Sequence, residues 1–160
     1  MNTGVYIGIG ANLGDARSNV EAAFGLLHAL PTTRLIERSA LFGTTPIDAD
    51  GGDYVNAVAC IETCLAPIDL LAALQAVEQE QGRLRSHRNA PRPLDLDILL
   101  YGQQCLQTPT LTIPHPRLTQ RAFSLIPLLQ IAPMVNIPGF GPAHAYVPSV
   151  VSQRIWKIAA

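Results

Sequence analysis

The stretch Leu94-Asp-Leu-Asp-Ile-Leu-Leu-Tyr101 is the clearest β-strand in this sequence. Side chains alternate between the two faces of a strand. One face is therefore predicted to be apolar throughout and to carry Leu94, Leu96, Ile98 and Leu100. Asp95 and Asp97 leave together from the other face. The stretch predicts a strand that is buried on one side and acidic on the other.

Patterns on the N-terminal side of this strand predict three further strands and two helices. The strands are expected over residues 5–9, 34–42 and 54–63, and the helices over 15–30 and 67–82. Asp15 suits the cap of the first helix, and Pro67 suits the first turn of the second. The order β-α-β-β-α-β is typical of an α+β fold, a ferredoxin-like antiparallel sheet with both helices packed on one side.

The chain beyond Gly102 is predicted to add C-terminal elements to this sheet. Residues 119–131 resemble a helix that Pro127 interrupts, 133–148 resemble a surface loop, and a short helix is expected near 150–158. A chain of 160 residues suits one domain. We therefore expect residues 1–160 to form a single domain.

Composition excludes several classes of protein. Hydrophobic residues make up 48% of the chain and charged residues 14%, so a folded core is expected. The net charge of -1 argues against a nucleic-acid binder. No apolar run approaches the ~20 residues of a membrane span, and no signal peptide is evident. An odd number of cysteines without a Cys-x-x-Cys pair favours reduced thiols and a cytoplasmic location. We expect a monomer that binds small molecules.

Asp95 and Asp97 form the strongest candidate site. Two carboxylates on one strand face repel each other unless a cation lies between them, and oxygen ligands of this kind suit Mg²⁺. The alternative is an exposed strand face that happens to be acidic.

Arginines next to the acidic strand favour the metal site. Four of them lie within ten residues, 83–92, shortly before the acidic strand: Arg83, Arg85, Arg88 and Arg92. Guanidiniums and a metal ion together can hold a polyphosphate. His115 and Arg121 are further candidates to donate hydrogen bonds to phosphate oxygens. Common nucleotide motifs are absent, because the single lysine, Lys157, lies outside any Walker A loop, and the spacing of Gly8, Gly10 and Gly14 does not match the dinucleotide fingerprint.

Five short motifs occur together in one order and resemble the family of 6-hydroxymethyl-7,8-dihydropterin pyrophosphokinases. They are Gly10-Ala-Asn-Leu-Gly14, Tyr54-Val-Asn56, Arg88-x-Ala-Pro-Arg92-x-x-Asp95-Leu-Asp97, Ile113-Pro-His115 and Arg121-Ala-Phe123. The resemblance spans roughly residues 4–133. It implies a ferredoxin-like fold and the transfer of pyrophosphate from ATP to the hydroxymethyl group of the pterin, with release of AMP, in folate biosynthesis.

The resemblance also implies a role for individual residues. Asp95 and Asp97 would hold two Mg²⁺ ions, and Arg83, Arg85 and Arg92 would act in catalysis on a loop that closes over the triphosphate. The residues implied in ATP binding are Gln75, Glu78, Arg85, Arg92, Ile98, Thr112, His115 and Arg121. Those implied in pterin binding are Thr44, Thr45, Ile47, Tyr54, Asn56, Asp95 and Phe123. Tyr54 and Phe123 would stack on the flat ring, and Asn56 would pair with its amide-like edge.

Two rival functions remain open at this point. One is a catalytically weakened paralogue that binds pterin or nucleotide. The other is a ferredoxin-like interaction domain in which the Asp95–Asp97 pair is incidental. Release of AMP that depends on both pterin and Mg²⁺ would separate the enzyme from both rivals.

Overall fold

A six-stranded antiparallel sheet organises the chain in the computed structural model, which describes residues 3–12, 15–45, 53–82 and 94–159. The strands of this sheet are β1 (Thr3–Ala11), β2 (Thr33–Arg38), β3 (Phe42–Thr44), β4 (Tyr54–Thr63), β5 (Asp95–Tyr101) and β10 (Ile155–Lys157). They lie in the order β10-β3-β4-β1-β5, and β2 pairs with β4 beside β3. Two small hairpins join β6 (Leu106–Gln107) to β7 (Thr112–Ile113), and β8 (Asn136–Ile137) to β9 (Gly141–Pro142).

Helices cover both faces of the sheet. They are α1 (Ala16–His28), α2 (Pro67–Gly82) and α3 (Ala122–Ile131), with 3₁₀ helices over Leu118–Gln120 and Ala143–Val150. The mixed α/β class with an antiparallel sheet is therefore confirmed. Among the described helices, none combines the length and the apolarity that crossing a membrane would require.

Helices α1 and α2 share one apolar core with the sheet. The side chains of α1 and α2 that are buried in it belong to Val20, Ala23, Phe24, Leu27, Leu70 and Leu74. Helical spacing predicts these six together with Leu71 and Val77, which are half-buried against the same core. Asp15 caps α1, since its Oδ1 accepts the N–H of Ser18 at 3.1 Å, and Pro67 is the first residue of α2. Both helix starts follow the sequence prediction.

Helix α3 and the Ala143–Val150 helix form a second core on the opposite face. Their fully or nearly fully buried residues include Leu125, Leu128, Ala143 and Val150. Pro127 lies inside α3, which is continuous, so the expected interruption is wrong. The expectation of a surface loop over 133–148 is also wrong in part, because Ile137 and Ala143 pack into this core. The predicted C-terminal helix is absent from the described residues, where β10 instead pairs with β3.

Irregular pairing changes two strand predictions. The register of β5 against β1 shifts between Tyr6 and Ile7, and this places an extra residue, Leu99, in β5. Such a bulge reverses the alternation beyond it. Leu100 therefore packs into the α3 core, whereas it was expected on the face of Leu96. The single strand expected over 34–42 is two strands, β2 and β3, that both pair with β4.

Candidate functional site

A cavity of about 710 Å³ lies on the α3 face of the sheet, next to β5. It brings together most of the predicted site residues that the structure describes. Those lining it are Thr44, Thr45, Tyr54, Asn56, Gln75, Glu78, Asp95, Asp97, Arg121 and Phe123. Strands β1, β3, β4 and β5 and helices α2 and α3 all contribute residues to the cavity lining, so residues far apart in sequence meet here.

The acidic pair lies on the cavity side of β5. Asp95 and Asp97 are exposed, and Leu96 between them is 5% exposed and belongs to the core of α1 and α2. The Oε2 atom of Glu78 accepts the N–H of Leu96 at 2.8 Å. Because β5 is the last strand of the sheet, this bond joins its outer edge to α2. The carboxylates thus stand on a strand that is held from both sides.

Glycine backbone forms the floor of the cavity beside these carboxylates. Gly8 pairs with Asp97, and Gly10 pairs with Asp95 on one side and Asn56 on the other. A Cβ on Gly10 would stand 3.0 Å from Asn56 Oδ1, and one on Gly8 would stand 3.3 Å from a methyl carbon of Leu99. A larger residue at Gly10 or Gly8 would therefore displace Asn56 or Leu99.

Tyr54, Asn56 and Phe123 form the part of the cavity that suits a flat polar ring. Asn56 is 4% exposed, and its Nδ2 donates to Thr44 Oγ1 at 2.9 Å. This bond sets the direction of the amide, whose Oδ1 faces Gly10. Tyr54 is two residues from Asn56 on the same face of β4. Aromatic faces beside an oriented amide can bind a planar heterocycle by stacking and hydrogen bonding.

Two arginines make the other part of the cavity positive. Arg117 and Arg121 both line it. Among the described residues, ion pairs join Arg34 to Glu62 and Arg38 to Glu21, and neither cavity arginine takes part in one. Burial lowers the pKa of the Arg121 guanidinium, Arg117 lowers it further, and Asp97 partly opposes both. Two neighbouring guanidiniums favour an anion such as a phosphate group.

His115 lies close to this positive cluster although it does not line the cavity. Burial lowers the pKa of its imidazole; Asp97 opposes this, and Arg121 and Arg117 lower the pKa further. Its Nδ1 accepts the N–H of Arg117 at 3.1 Å. The neutral ring therefore carries its proton on Nε2, which makes that atom a hydrogen-bond donor.

Two other predicted residues lie apart from the cavity, and four lie outside the described part of the chain. Ile98 is 4% exposed and packs into the core of α1 and α2, and Thr112 is half-buried on the short strand β7. Their roles in ATP binding, like that of His115, stay predictions. The remaining predicted residues lie outside the described part of the chain: Ile47, Arg83, Arg85 and Arg92.

Some cavity residues escaped the sequence prediction. Arg117 is one of them, although its position four residues before Arg121 was a usable signal. Gly8 and Gly10 are two others, and alternate glycines in an apolar strand indicate a close approach of another group. Leu71 and Ser124 also line the cavity, but nothing in their local sequence marks them.

The donor set at the cavity fits a magnesium ion. No group of three or more His, Cys, Asp or Glu side chains that could hold a metal occurs among the described residues. Mg²⁺ is commonly bound by only one or two carboxylates, with water and substrate phosphates as its other ligands. Asp95 and Asp97 supply that number of carboxylates, and both are oxygen donors on one exposed face.

Comparisons with known proteins find similarity over most of the chain. The sequence model of the 7,8-dihydro-6-hydroxymethylpterin-pyrophosphokinase family matches residues 6–133. A 2-amino-4-hydroxy-6-hydroxymethyldihydropteridine pyrophosphokinase of Pseudomonas aeruginosa is 48% identical over 135 residues, which cover 84% of this chain and 83% of that protein. The protein of the same name from Bacillus subtilis is 38% identical over 158 residues, covering 98% and 92%.

A solved structure shows the same fold. It is that of Plasmodium falciparum HPPK-DHPS with pterin and p-hydroxybenzoate, with a TM-score of 0.74 and 13% sequence identity. The match covers 95% of this chain but only 44% of the Plasmodium chain, so this chain corresponds to one portion of the larger protein.

Proposed function

Because this chain belongs to the 7,8-dihydro-6-hydroxymethylpterin-pyrophosphokinase family, we propose that it transfers pyrophosphate from ATP to 6-hydroxymethyl-7,8-dihydropterin. The hydroxymethyl oxygen forms a bond to the β-phosphorus of ATP and loses its proton. The bond between this phosphorus and the oxygen bridging to the α-phosphate breaks, and AMP leaves. The supporting observation is a single cavity that holds a carboxylate pair, two guanidiniums and an aromatic–amide pocket.

Tyr54, Asn56 and Phe123 are proposed to bind the pterin. Stacking on the two rings would fix the plane of the substrate, and the Asn56 amide would recognise its edge. Thr44 supports this role, because its hydroxyl accepts a hydrogen bond from Asn56 and orients the amide before substrate arrives. Thr45, which also lines the cavity, and Ile47 are proposed to complete this pocket.

The charged part of the cavity is proposed to bind the triphosphate. Asp95 and Asp97 would hold two Mg²⁺ ions. The charge of these ions would neutralise the phosphate oxygens and stabilise the leaving group. Arg121 would contact phosphate directly, and the Nε2–H of His115 would donate to it. Gln75 lies on the cavity wall and suits a contact with the nucleotide. Roles in catalysis for Arg83, Arg85 and Arg92 are part of the same proposal.

Some finer properties are also proposed. We propose that residues 1–160 act as one domain and one cytoplasmic monomer, and that the sheet has ferredoxin-like topology with C-terminal additions. The order β3-β4-β1-β5 supports the topology, and the pairing of β10 with β3 supports the additions. Cys60, Cys64 and Cys105 form no disulfide in the described part of the chain, which is consistent with a reducing compartment.

The test is AMP release measured with ATP, the pterin and Mg²⁺, each omitted in turn. Wild-type protein should release AMP only when all three are present. Asp97→Asn should release at least about 10²-fold less, because it removes a charged metal ligand, while its exposed position leaves the thermal midpoint nearly unchanged.

Two outcomes would contradict the proposal. Pterin-independent or undetectable AMP release by the wild-type protein would favour the weakened paralogue or the interaction domain. Wild-type activity in Asp97→Asn would refute the assignment of the metal ligand.

A further inference from the structure

Gln153 contacts the chain on both sides of Arg121, although it lies twenty residues beyond the segment that the family model matches. Its Oε1 accepts the N–H of Ala122 at 2.8 Å, and its Nε2 donates to the carbonyl oxygen of Gln120 at 2.8 Å. One side-chain amide thus bonds to the two backbone groups that flank Arg121. This is the hydrogen-bond pattern that a neighbouring strand would supply.

The backbone at Arg121 has a particular need for such support. Arg121 is extended, with φ -123° and ψ 115°, between the 3₁₀ helix Leu118–Gln120 and α3. The side chain of Arg121, the residue before α3, makes no capping hydrogen bond to the helix. The N–H groups of a first helical turn have no partner within the helix, and the Gln153 amide satisfies the one on Ala122.

The side chain that this backbone carries faces the cavity. Arg121 lines the cavity, and its guanidinium lies over the Phe123 ring, 5.2 Å from the ring centre. The backbone of Gln153 is itself held in place. Its N–H donates to the Val150 carbonyl at 3.0 Å, and β10, which begins two residues later at Ile155, pairs with β3. We therefore infer that Gln153 is a positioning residue, which holds Arg121 in the direction required for phosphate binding. This inference rests on the proposed function.

Gln153→Met tests the inference, because it preserves the length of the side chain and removes both hydrogen bonds. Equilibrium binding of α,β-methylene-ATP with Mg²⁺ gives the affinity, and steady-state AMP release gives the kinetic constants. We expect the Kd for the analogue and the KM for ATP to rise about fivefold, as loss of a hydrogen bond that orients a charged group would produce. The KM for pterin should change less than about twofold.

Gln130→Met is the matched control. The Gln130 Oε1 also accepts a backbone N–H, that of Ala40, at 2.7 Å, but this bond lies away from the start of α3. A purely structural role would give both variants the same small loss of stability and leave ATP affinity unchanged in both. Gln153→Asn keeps the amide but shortens its reach, so it provides a milder variant if Gln153→Met does not fold. A smaller rise in Kd is expected for it.

A double substitution asks whether Gln153 acts through Arg121. In an Arg121→Ala background, Gln153→Met should produce no further rise in Kd, because the positioned group is already missing. A fivefold rise that persists in that background would overturn the inference. An unchanged Kd in Gln153→Met, or an equal rise in Gln130→Met, would also overturn it.

The wild-type assay separates the two proposals. AMP release by wild-type protein together with an unchanged Kd in Gln153→Met refutes the role of Gln153 alone. Absence of pterin-dependent AMP release in wild-type protein refutes the proposed function and, with it, the inference.

Discussion

Replacing Glu78 is the most informative perturbation of the site, because its carboxylate bonds to the strand that carries both aspartates. Glu78 Oε2 accepts the N–H of Leu96, and that residue lies between Asp95 and Asp97. Resemblance to the family suggested a contact with ATP for Glu78. The structure adds a second role, which is to hold the outer edge of β5 against α2.

The expected energies of two variants differ. Glu78→Ala removes a hydrogen bond to a charged acceptor, worth about 1.5–3 kcal/mol, and leaves the N–H of a residue that is 5% exposed without this partner. The better helix propensity of alanine returns a few tenths of a kcal/mol. We expect a net loss of about 2 kcal/mol in the free energy of unfolding. Glu78→Gln keeps an oxygen acceptor and should lose at most about 1 kcal/mol.

Urea denaturation measures the free energy of unfolding, and AMP release measures the site. If Glu78 positions β5, the alanine variant should lose about tenfold in kcat/KM for ATP, whereas the glutamine variant should stay within about threefold. Gln79→Ala is the control, since Gln79 is an exposed neighbour on the same helix. Equal losses of ATP affinity in both Glu78 variants, without loss of stability in either, would refute positioning and indicate direct contact with the nucleotide.

Three further predictions concern the cavity floor, the thiols and the core. Gly10→Ala should raise the KM for pterin about tenfold and leave the KM for ATP nearly unchanged, because the alanine Cβ would lie 3.0 Å from Asn56 Oδ1. Equal effects on both KM values would contradict this prediction. Burial raises the pKa of the Cys60 thiol, so less of its reactive thiolate is present at pH 8. Alkylation of Cys60 by iodoacetamide, followed by mass spectrometry, should therefore be slower than alkylation of the exposed Cys64. Equal rates at the two cysteines would contradict this prediction. Leu74→Ala should reduce the free energy of unfolding by about 3 kcal/mol in urea, since Leu74 is 0% exposed, and a loss below about 1 kcal/mol would show that it is not a core residue.

Local sequence patterns were sufficient for α1, α2 and β4. The helical stripe that includes Val20 and Leu27 is buried in the structure, and so are alternate residues of β4 from Ala57 to Ile61. Periodicity works here because one regular element packs against one apolar layer, so the side that a residue faces depends only on its own element. The acidic pair was visible for the same reason, since Asp95 and Asp97 alternate with the apolar residues of one strand.

Pairing between distant segments accounts for what local patterns missed. The extra residue Leu99 in β5 is defined by the register of β5 against β1, and it turns Leu100 to the other face. Segment 155–157 becomes a strand because β3 offers it an edge, although its own sequence resembles a short helix. The positions of Arg117 at the cavity and of Gln153 beside Ala122 depend on how α3 and the C-terminal segment pack together on the sheet. A residue's own neighbours in sequence report its local conformation, whereas a site assembled from six elements depends on contacts that form only when those elements pack together.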